Sequence, residues 1–126
     1  MSSFVPILQE HLPETSLELE ELLDRAGTLV LTLSDASHVR TKLKFGAYMA
    51  YRKLDEGDAL LTLSAMRRSG GTGKVLYRVD ESEFAIWFDA ERCNDGRGQP
   101  LVHYLVAAMN DIVDVLSLEL PIIEIG

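Results

Sequence analysis

The chain has 126 residues, of which 47% are hydrophobic and 25% are charged, and its formal net charge is −8. These values are typical of one globular domain, residues 1–126, and exclude an intrinsically disordered chain. No apolar stretch approaches the roughly 20 residues that a membrane-spanning helix needs. The single cysteine, Cys93, cannot form an internal disulfide, and the first residues lack the basic start of a secretory signal. We therefore expect a cytoplasmic protein with no membrane partner.

The charges are distributed unevenly along the sequence. Residues 1–39 hold seven acids and one base, residues 40–78 hold three acids and nine bases, and residues 79–126 hold ten acids and two bases. The middle third is therefore basic, between two acidic flanks. This asymmetry is the strongest indication of charged partners that composition provides.

The first part of the chain is predicted to contain two helices and two strands. Residues 3–11 have the pattern of a short helix, and residues 16–26 have a clearer one, with leucines on one face and acids on the other. Residues 28–34 alternate and are rich in β-forming side chains, which predicts a strand. A second strand is predicted over residues 39–53, with a bend at Gly46.

The middle of the chain is predicted to be a hairpin followed by a loop. The segment LDEGD, residues 54–58, has the composition of a hairpin turn, and residues 59–66 would return as a strand. Residues 67–74 are predicted to be a flexible loop, and residues 75–79 a further strand.

The next segment predicts a helix over residues 83–92. Asp80 or Ser82 would cap it, and its aromatic residues would face the core; these are Phe84, Trp87 and Phe88. Residues 94–99 are predicted to be a loop.

Residues 99–126 form the most apolar run of the chain, and two interpretations compete for it. As a hairpin, residues 102–108 and 112–120 are two buried strands, and the alternation after Ile112 favours this interpretation. As a helix, the run offers apolar residues at helical spacing, so the alternative stays open. Together the elements predict an α+β fold, a mostly antiparallel sheet with helices packed on one face.

The sequence contains no recognisable catalytic or nucleotide-binding motif. The segment SGGTGK resembles a phosphate-binding loop, but Arg68 stands where that loop needs its first glycine, and Val75 stands where it needs a hydroxyl. Cys93 has no histidine beside it to stabilise a thiolate. We therefore expect no catalytic residue, no cofactor and no enzymatic activity.

The three histidines do not predict a metal site. His11, His38 and His103 are far apart in the sequence, and none has a cysteine or carboxylate at metal-ligand spacing. His103 lies inside the apolar run, which predicts a hydrogen-bonded histidine of the core.

Arg40, Lys42 and Lys44 alternate along a predicted strand and would lie on one face about 7 Å apart. Such a stripe could bind an anion or a nucleic acid, or it could protect a sheet edge from pairing with another chain. The net charge of −8 opposes approach to a polyanion, so nucleic-acid binding is not favoured. Whether the stripe has a function stays open.

Clusters of acids near aromatic residues are the candidate partner-binding sites. A ring supplies area that is buried on binding, and a neighbouring charge steers the approach of the partner. One cluster lies at the predicted hairpin tip with the strand before it, and the other lies on the predicted helix. The candidates are Tyr48, Tyr51, Asp55, Glu56, Asp58, Trp87, Asp89 and Glu91.

The run HYLVAAMNDIVDVLS, after a Trp-Phe helix and before LPIIE, resembles a stretch of small bacterial immunity proteins. The resemblance covers residues 82–124 and a little of YRKLDEGD, contains no diagnostic motif and transfers no functional residue by position. It implies a cytoplasmic inhibitor that binds a cognate toxin domain without turnover. An acidic inhibitor and a basic nuclease would attract each other.

The sequence therefore predicts a non-enzymatic protein-binding domain, in its sharpest form an immunity protein that covers the active site of a basic toxin. The alternative is a homo-oligomeric adaptor or secretion-chaperone-like protein, in which the basic middle of one subunit faces the acidic flank of another. An enzyme of an unrecognised type is a further alternative.

Overall fold

The computed structural model describes residues 2–71, 73–93 and 100–126, and this part of the chain forms nine strands and two α-helices. In chain order the elements are β1 (Ser3–Pro6), β2 (Glu18–Arg25), β3 (Thr28–Ser34), β4 (Arg40–Phe45), β5 (Tyr48–Asp55), α1 (Leu60–Arg68), β6 (Leu76–Asp80), α2 (Glu83–Glu91), β7 (Val102–Ala107), β8 (Asp111–Ser117) and β9 (Ile122–Ile125). Single turns of 3-10 helix lie at Gln9–His11 and Glu56–Asp58. In the described ranges, neither α-helix is long and apolar enough to cross a bilayer.

The strands form two antiparallel sheets. Sheet A has the order β1-β6-β7-β8-β5, and sheet B has the order β2-β3-β4-β9. One face of sheet A packs on sheet B around a core that includes Leu31, Phe45 and Tyr104. The other face of sheet A packs on α1 around a smaller core that includes Met66 and Leu105, and on α2 through Phe84 and His103. The predicted α+β fold, with helices on one face of an antiparallel sheet, is confirmed.

The apolar C-terminal run is the hairpin β7–β8, at the centre of sheet A. β7 pairs with β6 on one side and β8 pairs with β5 on the other, so both strands are interior. Every residue of β8 is buried, because sheet B covers one face and the helix layer covers the other. The hairpin interpretation is therefore correct, and a helix in this run is wrong. The chain then crosses to sheet B as β9, a strand that the sequence did not predict.

The two helices predicted near the N-terminus are wrong. Residues 3–6 form β1, and residues 18–25 form β2, which pairs with β3 along its whole length. Leu17 and Leu19 are buried in the sandwich core, while most of β2 is exposed. Leucines separated by acids fit either period over so short a segment, and pairing with β3 decides in favour of the strand.

The predicted hairpin at residues 54–58, with a strand over residues 59–66, is also wrong. β5 does not continue β4; the chain turns at residues 46–47 and crosses to sheet A, where β5 pairs with β8. The side chain of Asp55 then accepts a hydrogen bond from Gly57 N at 2.8 Å, which starts a 3-10 turn leading into α1. Ala59 and Met66 are buried against sheet A. The segment predicted as a returning strand is therefore the helix α1, which packs on sheet A.

The predicted strands over residues 28–34 and 75–79 and the predicted helix over residues 83–92 are confirmed with small changes of boundary. β3, β6 and α2 correspond to the predicted strands and helix, and Ser82 rather than Asp80 caps α2. The predicted loop over residues 94–99 lies outside the described residues. Of the aromatic residues expected to face the core, Phe84 is buried and Trp87 is 55% exposed, so the prediction is wrong for Trp87.

Candidate functional site

A chain of polar side chains, most of them buried, fixes the start of α2 to sheet A. Ser82 accepts a hydrogen bond from Ala85 N at 3.0 Å, and its oxygen lies 2.6 Å from Nδ1 of His103 on β7. Nε2 of His103 lies 2.6 Å from Oδ1 of Asp114 on β8, and Nε of Arg52 on β5 donates to Oδ2 at 2.8 Å. The helix cap is thereby connected to three adjacent strands of sheet A. The prediction of a hydrogen-bonded core histidine is confirmed.

The carboxyl group of Asp114 is held in its charged form by these contacts. Burial by itself would raise the pKa of Asp114, because the charged form loses its water. The hydrogen bond and electrostatic attraction of His103, together with those of Arg52, outweigh burial and hold the pKa of Asp114 below its usual value. The site therefore contains a buried carboxylate that depends on its two partners.

The series Ser82, His103, Asp114 has the hydrogen-bonding order of a serine nucleophile triad, but not its accessibility. A nucleophilic serine must reach a substrate while a histidine accepts its proton. Here Ser82 is 7% exposed and its oxygen already caps α2. A groove lies beside α2, between this helix and β5, and neither Ser82 nor His103 lines it. We therefore assign this network a positioning role for α2.

Next to the network, α2 and β5 border a groove of about 480 Å³, called the α2 groove below. The Phe84 ring contacts two other rings at this groove. It stacks on the Trp87 ring with centroids 5.9 Å apart, and it meets the His103 ring edge-on with centroids 5.6 Å apart. The guanidinium carbon of Arg52 lies 4.3 Å from the Phe84 centroid, which is a cation–π contact. The groove is lined by Ala50, Tyr51, Arg52, Glu83, Phe84, Trp87 and Phe88.

The outer side of α2 presents large apolar side chains to solvent. Ile86 is 67% exposed and Trp87 is 55% exposed, and the exposed acids Glu83 and Glu91 lie on the same short helix. Because Phe84 and the buried network hold α2 in place, these side chains are presented on a rigid support. A rigid aromatic side chain with nearby charge is typical of residues that dominate the energy of protein interfaces.

The structure separates the candidates that the sequence grouped together. Trp87 and Tyr51 line the α2 groove, while Asp89 pairs with Arg92 at 2.7 Å on the same helix. Glu91 is exposed at the last position of α2. The acids at the far end of β5 do not line the groove; they are Asp55, Glu56 and Asp58.

The two tyrosines of β5 pack against the core between the sheets, and Tyr51 also borders the α2 groove. Tyr51 is opposite Val115 of β8, whose side chain lies in the core between the sheets. The hydroxyl of Tyr48 is hydrogen-bonded to Oδ1 of Asp24 on β2, and the Tyr48 and Tyr51 rings meet edge-on at 5.8 Å. The tyrosines therefore join the two sheets at one edge, and they are not part of the exposed face of α2.

Sequence reasoning missed the residues that support the groove. Arg52 and Asp114 are 62 positions apart, and they meet only because β5 pairs with β8 in one register. One signal was present: an acid in the middle of a strand buried on both faces requires a partner. The sequence could therefore have identified Asp114 as paired, but not His103 and Arg52 as its partners.

The basic stripe lies on β4, an interior strand of sheet B, and acids of β2 and β9 in the same sheet pair with it. Nε of Arg40 lies 2.9 Å from Glu20 on β2, and Nζ of Lys44 lies 2.9 Å from Glu124 on β9. Lys42 is opposite Glu124 in the strand register. Since β4 is not an edge strand, the stripe does not protect an edge.

In residues 2–71, 73–93 and 100–126, histidine, cysteine, aspartate and glutamate side chains form no cluster of three or more that could bind a metal ion. No family model, curated protein or solved structure matches the chain. Function is therefore inferred from the residues and contacts of the chain itself.

Proposed function

We propose that the protein is a non-enzymatic protein-binding domain whose partner docks on the α2 groove and on the exposed face of α2. The observation that supports this proposal best is the combination of Ile86 and Trp87, exposed on α2, with the Phe84 ring and the buried network beneath them. Burial of two large apolar side chains favours association, and a helix held in place beforehand loses little entropy when a partner binds.

The charges around this surface favour a partner with basic residues. Glu83 lines the groove and Glu91 ends the helix, and the whole chain carries −8. A partner with lysine or arginine around an apolar pocket would approach faster and pair with these acids at the rim. Trp87 would fill the pocket at the centre.

In its sharpest form, the proposal is a cytoplasmic immunity protein that covers the active site of a cognate toxin with a basic surface. The resemblance to immunity proteins covers residues 82–124, the segment that contains α2 and the β7–β8 hairpin carrying His103 and Asp114. Inhibition would require no reaction, because a partner held over an active site excludes the substrate.

The alternative, a homo-oligomeric adaptor, relies on the basic middle of one subunit facing the acidic flank of another. Within a single chain, Arg40 and Lys44 already pair with Glu20 and Glu124. The charge match that motivates this alternative is therefore satisfied intramolecularly. Salt-dependent dimerisation in sedimentation experiments would favour it nevertheless, and a monomer at every ionic strength would eliminate it.

Site-specific photo-crosslinking tests the proposed surface. A photoreactive phenylalanine analogue would replace Trp87 in one variant and Leu61 in a matched control, since Leu61 is 88% exposed on the other helix. Cross-linking in the native cells is expected to capture one protein from position 87 and not from position 61. Equal capture from both positions would contradict docking on α2.

The captured protein then tests the immunity function. We expect it to stop growth when it is expressed alone, and co-expression of the wild-type chain to restore growth. Trp87→Ala should weaken binding by about 30-fold, as loss of a central aromatic anchor does, while Leu61→Ala should change it by less than about threefold. A captured protein without toxicity would reject the immunity form, and full protection by Trp87→Ala would reject the α2 surface.

A further inference from the structure

The outer strand of sheet B, β9, differs from the other three edge strands of the described structure. β1 contains Pro6, β2 and β5 each contain a bulge, and β5 also exposes Arg52 and Lys53. Proline, bulges and basic side chains are devices that prevent an edge from pairing with another chain. β9 pairs with β4 in an unbroken register, and its one charged residue is Glu124. It contains no proline, no bulge and no basic side chain.

The backbone of β9 presents hydrogen-bonding groups to this open edge. Gly126 N donates to Arg40 O at 2.9 Å, which identifies these opposite residues as a hydrogen-bonded pair of the ladder. Since hydrogen-bonded pairs alternate along an antiparallel ladder, Glu124 and Ile122 also bond to β4. The N–H and C=O groups of Ile123 and Ile125 therefore point away from β4, toward the open edge.

The sandwich is also open beside β9. Ile123 and Ile125 are opposite Leu43 and Thr41, which are fully buried between the sheets, so both isoleucines face the inner side of sheet B. Ile125 is nevertheless 54% exposed. A cleft of about 640 Å³ separates β9 from residues 8–13, with Leu8, Leu12 and Pro13 on its far wall. Another strand beside β9 would have room for its inward side chains.

We propose that β9 accepts an added strand from another protein, namely an extended segment with apolar residues at alternate positions and a lysine or arginine between them. The apolar side chains would enter the cleft beside Ile123 and Ile125, whose walls also include Leu8 and Leu12. The basic side chain would lie on the outer face and share Glu124 with Lys44, and Glu10, which lines the cleft beside His11, supplies a second acid. Strand addition of this kind uses backbone hydrogen bonds for affinity and side-chain pockets for specificity.

A second copy of the chain fits this edge less well. When two β9 strands pair so that Ile123 meets Ile125, Glu124 lies opposite its own copy, and like charges directly opposite each other are destabilising. When Ile123 meets Ile123, Pro121 lies opposite Ile125, and proline has no N–H to donate to the ladder. Charge and backbone chemistry therefore favour a basic segment of a different protein.

Binding of short synthetic peptides tests the proposal. The probe is a fluorescein-labelled peptide of alternating isoleucine and lysine, and its controls replace lysine with glutamate or N-methylate the amides that would face β9. Fluorescence anisotropy should show binding of the probe and at least tenfold weaker binding of both controls. The N-methylated control keeps every charge, so equal affinity for it would reduce the interaction to non-specific attraction and overturn the proposal.

Variants of the protein locate the interaction. Ile125→Pro removes an N–H that points to the open edge and leaves the bonds to β4 in place, whereas Ile125→Val keeps that N–H. Ile125→Pro should lose probe binding and Ile125→Val should retain it, with urea unfolding to confirm that both are folded. Amide chemical shifts should change at residues 8–13 and 122–126.

Binding of the probe to β9 does not involve the α2 groove. We therefore expect Trp87→Ala to bind the probe as the wild type does. Loss of binding in Trp87→Ala, equal binding by Ile125→Pro and Ile125→Val, or shifts confined to β5 would each overturn the proposal. Should Ile125→Pro fail to fold, the N-methylated peptide still decides the result.

Discussion

Asp114 is a charged residue in the middle of β8, a strand whose every residue is buried. A carboxylate without partners would be costly in such a place. His103 contacts one of its oxygens and Arg52 contacts the other. The His103 side chain is nearly inaccessible while that of Arg52 is about half exposed, so solvent screens the His103 contact less. The stability of the α2 site therefore depends most on the pair His103–Asp114.

Replacement of this carboxylate should destabilise the fold. We expect Asp114→Asn to lower the free energy of unfolding by about 3 kcal/mol, because a buried pair loses one member. The matched control is Asp80→Asn, which removes a carboxylate paired with Arg78 on the same sheet, but at a half-exposed position. Urea unfolding should show a much smaller effect for Asp80→Asn. Equal effects of the two changes would contradict the role assigned to Asp114.

The same substitution predicts a change in pH dependence. The pKa of Asp114 is lower in the folded state than its usual value, so the unfolded chain binds a proton more readily. The stability that Asp114 contributes is present above the unfolded pKa of about 3.9 and is lost as the pH falls through the lower folded pKa. In urea titrations at several acidic pH values, the wild type should therefore lose more stability than Asp114→Asn. Parallel pH profiles would contradict this expectation.

At the scale of elements, α2 shows how a short helix becomes a rigid support. Nine residues are too few for a stable isolated helix, so α2 depends on its cap and on its contacts with sheet A. Ser82 provides the cap and one of the contacts with sheet A. Its side-chain oxygen accepts a hydrogen bond from Ala85 N and also contacts His103. Phe84 adds the apolar contact between α2 and the His103 ring.

Loss of the Ser82 hydroxyl should therefore loosen α2. We expect Ser82→Ala to cost about 2 kcal/mol, because the helix loses its cap and a buried ring nitrogen loses its partner. Hydrogen exchange should show faster exchange of the α2 amides, while those of α1 stay unchanged. Ser82→Thr keeps a hydroxyl and should retain most of the protection. Unchanged exchange of α2 in Ser82→Ala would contradict the positioning role.

At the scale of the whole molecule, folding intermixes charges that the sequence separates into thirds. The bases of the middle third pair with acids of the two flanks: Arg40 with Glu20, Lys44 with Glu124, Arg52 with Asp114, and Lys53 with Asp111. The excess of acids over bases remains, but these basic residues do not form a separate patch. The α2 surface and the β9 edge, rather than the basic stripe, are therefore the surfaces that we propose for partners.

This intermixing predicts weak binding to polyanions. On heparin chromatography the wild type should elute at low salt, because acids neutralise the stripe. The double substitution Glu20→Gln and Glu124→Gln should shift elution to higher salt. A control with Glu14 and Glu91 changed to glutamine alters the net charge equally at two other exposed positions, and it should shift elution less. Equal shifts would show that only net charge matters.

Local pattern was sufficient for some elements of this fold and insufficient for others. β3 has alternation over enough residues to identify a strand, and α2 has a serine cap before an aromatic run. The alternation in the second arm of the hairpin favours a strand but left a helix open. The segments of β2 and α1 each mix apolar and polar residues over a short length. Both the helical period and the strand period therefore fit them. Their identities depend on β3 and on sheet A, which the local sequence does not contain.

The sequence by itself determined the α+β class, the buried character of the apolar C-terminal run and the helix that carries Trp87, because hydrophobic periodicity and capping act within a few residues. Only the tertiary structure decided which charges meet, which aromatic side chains remain exposed and which sheet edge is open. Those features depend on strand order and register, which bring together residues as distant as Arg52 and Asp114. No local pattern encodes such a pairing, since it forms only when the sheets assemble.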